Sequence, residues 1–143
     1  MNTKLILIAL FVAVVACQKK EIINSDLAPV PIGPYSQGVK YGNTVYVSGQ
    51  LGMLRSTGKL ISNNVTEQAG QALKNIGHIL EAAGSSLDKV LDCTVLLTDI
   101  NDFARVNVVY AQVFKSEFPS RVAYSITALP IGAKVEFKCV AGI

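Results

Sequence analysis

The sequence has a single histidine, His78, three cysteines, and charged side chains at only 16% of its 143 positions. One imidazole and no Cys/His spacing of the kind that surrounds zinc give no metal site. Ser36, Ser48 and Ser125 have no evident base beside them, so a nucleophilic triad is not indicated. Lysine and arginine do not cluster beyond Lys19 and Lys20, which removes the electrostatic footprint expected of a nucleic-acid partner. Internal repeats and low-complexity tracts are missing too. The apolar run from Leu5 to Ala16 is twelve residues long, short of the about 20 that a membrane-spanning helix needs. Half of the residues are hydrophobic, which at this length fits one domain around one core.

That apolar run follows a short basic start containing Lys4 and ends in "VVAC", residues 14 to 17. The stretch resembles a bacterial lipoprotein signal, in which residues 1–16 are removed and Cys17 is acylated. This resemblance implies an exported protein anchored to a bacterial membrane through a lipid on Cys17, on the periplasmic side. Gln18, rather than an aspartate, follows the cysteine and leans the expectation toward the outer membrane. Cleavage leaves twelve basic and ten acidic side chains, a balance that says little about partners. Residues 17–27 read as a polar tether and residues 28–143 as the folded domain. Cys93 and Cys139 both lie in strand-like segments, where a small buried hydrophobe is the expected role; export leaves a disulfide between them open.

Within the domain, "VKY" and "TVYVSG" flank Gly42-Asn43, a hairpin signal. Ala69, Ala72, Leu73, Ile76, Ile79, Leu80 and Ala83 recur at helical spacing, with Asn64 as N-cap and Gly84 as the stop. Residues 90–97 read as an interior strand. A second helical stripe, Phe103, Val106, Val109, Tyr110, Val113 and Phe114, is expected to end at Pro119. Two strands, about 121–127 and 134–141, complete the order β-β-α-β-α-β-β. The expected class is α+β (α/β): a mixed sheet with two helices on one face.

Each of the last two strands carries a charge amid apolar neighbours. Period-two geometry sends Arg121, Ala123 and Ser125 to one face, and Glu136 with Lys138 opposite Val135, Phe137 and Cys139. The bland reading is a sheet-edge ion pair between Arg121 and Glu136, worth about 0–1 kcal/mol. The chemical reading uses the planar guanidinium of Arg121 as a fork for a small carboxylate, with Glu136 orienting or deprotonating water. Tyr35 in "GPYSQG", with Ser48 and Gly49 in "VSGQ", supplies further polar groups and a point where backbone can approach a ligand closely. His78 lies off the apolar stripe and is expected to face solvent.

Five segments in order, "PIGPYSQGV", "VYVSGQLG", "INDFARVNVVY", "FPSR" and "LPIGAKVEF", resemble the Rid family, also called YjgF, over about residues 28–143. The resemblance implies a chorismate-mutase-like fold, a homotrimer with clefts between subunits, and hydrolysis of reactive enamines and imines (2-aminoacrylate/2-iminopropanoate, 2-iminobutanoate) to ketoacids and ammonia without a cofactor. By the same resemblance Arg121 holds the substrate carboxylate, Glu136 positions the water, and Tyr35, Ser48, Gly49 and Asn107 line the cleft. Many members read Arg-Ser-Cys where this chain reads Arg121-Val122-Ala123; alanine preserves a role played by the backbone carbonyl there and lowers activity where the thiol matters. The segment between "VNVVY" and "FPSR" is shorter than in many relatives. A non-catalytic trimeric module that binds small carboxylates is the alternative reading.

Overall fold

The stripe of apolar residues between positions 69 and 83 does what its spacing predicts. In the structure, a computed structural model that describes residues 18–143, it is the buried face of helix α1 (Val65–Ala82). Asn64 caps the helix, its side chain accepting from Thr66 N at 2.9 Å, and Gly84 at φ +80° turns the chain out of it. The proposed signal and Cys17 lie outside the described residues.

Helix α1 and helix α2 (Phe103–Phe114) lie on one face of a seven-stranded sheet. Its strands are β1 (Lys20–Ile23), β2 (Gly38–Tyr41), β3 (Thr44–Val47), β4 (Gln50–Leu51), β5 (Val90–Leu97), β6 (Ser120–Ser125) and β7 (Val135–Gly142). They run in the order β1-β2-β3-β7-β5-β6, with β4 also paired to β7. Only β5 and β6, joined through α2, are parallel. The expected hairpin is present, Tyr41 opposing Thr44 across Gly42-Asn43. Val45, Val47, Cys93, Val95, Leu97, Val135, Phe137, Cys139 and Ala141 turn inward to meet the helices.

Four expectations need correction. Residues 20–23, read as tether, form strand β1 against β2; only Ile23 of the four is buried, so backbone pairing rather than side-chain pattern holds them. Pro119 does not end α2, which stops at Phe114, after which Lys115 adopts φ 53°. Cys93 and Cys139 are fully buried but not separate: they oppose each other across β5 and β7 with Cα atoms 4.2 Å apart and form a disulfide. His78 is half-buried, and its Nδ1 donates to Leu27 O at 3.1 Å because residues 24–29 fold back over α1.

Two buried amides that periodicity misses tie loops to this helix. Asn75 Nδ2 donates to Leu51 O and Met53 O at 3.1 and 3.0 Å. Gln68 donates to Ser62 O and accepts from Lys134 N, both at 2.8 Å. Each hydrogen-bonds backbone groups of the loops packed against the helix.

Candidate active site

Alternation along a strand decides on which side of the sheet each candidate works. Arg121 opposes Cys93, which is disulfide-bonded to the opposing Cys139, so all three point toward the helices. Glu136 opposes Leu96 and stands three residues from Cys139, an odd step that turns it to the helix-free face. The two charges therefore occupy opposite faces of one chain's sheet. Neither the sheet-edge ion pair nor a site using both residues of the same chain is formed; among the described residues the one ion pair joins Arg105 to Asp102.

Around Arg121 the surroundings are aromatic. Its Cζ sits over the Tyr110 ring, 4.6 Å from the centroid, and 5.5 Å from the centroid of Phe103. A cavity of about 390 Å³ opens here, lined by Asn107, Tyr110, Ala111, Phe118, Pro119 and Arg121. Asn107 and Tyr110 line it and Phe103 lies beside Arg121, because steps of four and three residues share a helix face. Asn107 Oδ1 and Tyr110 Oη are buried without a hydrogen-bond partner among the described residues. Burial pushes the Tyr110 hydroxyl up to about 12, against the opposing pull of Arg121. Ala123, half-buried against the core, follows Arg121 on the same face of β6. As an edge strand, β6 leaves backbone amides and carbonyls unpaired along its outer side.

Glu136 belongs to a second pocket of about 240 Å³, shared with Ile32, Tyr35, Ser48, Gly49, Leu51 and Pro130. A β-carbon on Gly49 would lie 1.7 Å from Glu136 Oε1. The missing side chain is thus needed by the carboxylate, whatever it also offers a ligand. Burial raises the Glu136 pKa above the ordinary carboxylate value. Ser48 is pinned, its Oγ donating to Ser36 O at 2.6 Å and its N to Gln37 O at 2.9 Å. Gln37 in turn donates to Ser25 O, Ala28 O and Pro29 O, fastening the chain that leads to Tyr35. Tyr35 remains 47% exposed, and its hydroxyl accepts from Ile32 N at 3.2 Å.

The sequence-derived residues thus fall into two groups: Arg121 and Asn107 at one cavity, with Ala123 on the same strand face, and Glu136, Tyr35, Ser48 and Gly49 at the other. Tyr110 and Phe103 were read as core stripe; their places one helical turn and more from Asn107 are the signal that also sets them beside Arg121.

Residues 25–143 match the sequence profile of the family described as endoribonuclease L-PSP. A human protein named 2-iminobutanoate/2-iminopropanoate deaminase is 52% identical over 122 residues, 85% of this chain and 89% of its own. The crystal structure of RidA from the Antarctic bacterium Psychrobacter superposes with a TM-score of 0.84 at 44% identity, over 86% of this chain and 99% of that one. Escherichia coli TdcF, solved with bound serine, gives a TM-score of 0.82 at 38% identity over 86% and 98%.

Proposed function

The chain belongs to the Rid (YjgF) family, that of the endoribonuclease L-PSP profile, and on this premise we propose that it hydrolyses small 2-imino acids such as 2-iminopropanoate and 2-iminobutanoate to ketoacids and ammonia. The observation that carries the reading is the guanidinium of Arg121, seated on aromatic rings at the wall of a cavity, with no ion pair or side-chain hydrogen bond among the described residues. Its N–H fork is free for a carboxylate. A relative that binds serine, another small carboxylate, agrees with this.

The opposite orientation of Glu136 is accommodated if the Arg121 half-site of one copy faces the Glu136 half-site of another, as in a homotrimer. The helix-free sheet face supports such association, since Ile22, Tyr41, Tyr46, Val122 and Tyr124 stand exposed on it. In the assembled cleft Arg121 holds the carboxylate. Glu136 takes a proton from water as its oxygen bonds to the C=N carbon, and the π pair moves to nitrogen, which is protonated. The proton that Glu136 took from water goes to that nitrogen, leaving an amino and a hydroxyl group on one carbon. The adduct then collapses as Glu136 moves the hydroxyl proton to the amino group, C=O forms, the C–N bond breaks, and neutral ammonia leaves with the C–N pair.

The raised Glu136 pKa sets a sign. The base works only when ionised, so kcat/KM for 2-iminopropanoate generated in situ falls with decreasing pH through a limb displaced upward from the ordinary glutamate value. Glu136→Gln is expected to remove that limb and most of the rate. A wild-type protein that releases no ammonia yet binds ketoacids would favour the carboxylate-binding module, the reading that Ala123 in place of a cysteine supports. Export and a lipid on Cys17 are part of the proposal; the Cys93–Cys139 disulfide favours export alone, because such bonds persist in oxidising compartments.

A further inference from the structure

An arginine that must grip a substrate carboxylate cannot spend its N–H groups on a protein carboxylate, yet a free guanidinium on a long side chain samples many rotamers. Among the described residues no acid pairs with Arg121; Asp92 on the neighbouring strand accepts from Ser120 Oγ instead. What lies against the guanidinium is aromatic, the ring of Tyr110 at 4.6 Å and that of Phe103 at 5.5 Å. An aromatic face attracts the cation without consuming an N–H donor. Tyr110 is itself set in the core: it is 3% exposed and packs on Phe114, with ring centroids 4.4 Å apart, and on Phe137 at 6.2 Å. Phe103 and Tyr110 stand seven residues apart, two turns along the same face of α2, with Asn107 between them.

We propose that Tyr110, assisted by Phe103, is the positioning residue that holds the Arg121 guanidinium over its ring so that the N–H fork stays open toward a substrate carboxylate. This rests on the imine-deaminase reading of the site. The ring, rather than the hydroxyl, carries the role.

Steady-state kinetics with 2-iminopropanoate separate the parts. Tyr110→Phe is expected to keep KM within about twofold of wild type, whereas Tyr110→Leu raises it about tenfold with a smaller change in kcat. Phe103→Leu, at a position 38% exposed and so tolerant of truncation, is expected to raise KM about threefold. An unchanged KM in a folded Tyr110→Leu protein overturns the proposal, as does a Tyr110→Phe protein as impaired as Tyr110→Leu. If Tyr110→Leu fails to fold, Phe103→Leu decides: a wild-type KM there overturns the proposal. An Arg121→Ala protein with wild-type kinetics overturns the underlying reading of the site, an outcome distinct from those above.

Discussion

Arg121→Ala is expected to lower kcat/KM for 2-iminopropanoate by roughly 100- to 1,000-fold, the size of effect that follows from deleting one partner of a charge-assisted pair that the proposed cleft between copies would shield from water. The loss arises because the fork of Arg121 is the one cationic group lining its cavity, and the other five lining residues are neutral. Arg121→Lys keeps the charge but loses the planar fork and its match to the rings of Tyr110 and Phe103, so it should recover only part of the rate. Steady-state kinetics on the two variants check both statements. A folded Arg121→Ala protein at wild-type rate would leave the carboxylate without its proposed partner.

The second large effect concerns stability. Cys93 and Cys139 are 46 residues apart, and a cross-link closing a loop of that length removes enough unfolded-chain entropy to stabilise the fold by about 4 kcal/mol. For a domain of this size the double replacement Cys93→Ala/Cys139→Ala should lower Tm by roughly 10–15 °C. Thermal unfolding of the wild type with and without reductant gives an independent reading of the same bond. Equal melting temperatures in all cases would mean that the bond contributes nothing. The location matters functionally, since Cys93 is the β5 residue directly beside Arg121 in the register.

Sequence periodicity revealed the elements whose side chains all answer to one core. The α1 stripe, the interior strand β5 and the Asn64 cap could be read because burial, spacing and local hydrogen bonding agree there. Strand β1 could not, because the edge of β2 supplies its backbone hydrogen bonds and just one of its side chains is buried. Gln68 and Asn75 look like surface residues by type, yet each is buried by the loop it fastens. Cys93 and Cys139 had the correct inward parity, but only the register between β5 and β7 sets them face to face.

The same missing information limited the candidate site. The residue types were legible: a guanidinium fork, a carboxylate, a tyrosine and a close-approach glycine. Their relation was not, because alternation fixes a residue's face within its own strand and says nothing across strands. The pairings Cys93 with Arg121 and Leu96 with Glu136 are what divide the charges between two faces.

Mixing subunits tests most directly whether the cationic and acidic half-sites of different copies complete one catalytic centre. Arg121→Ala and Glu136→Gln proteins, each nearly inactive alone, are unfolded and refolded together at equal concentration, with distinguishable tags reporting mixed assembly. If the copies assemble as the proposed trimer, random mixing gives about a quarter of the clefts both intact residues, so ammonia release should return to about a quarter of the wild-type rate. Mixed trimers that form and remain inactive would contradict a shared centre.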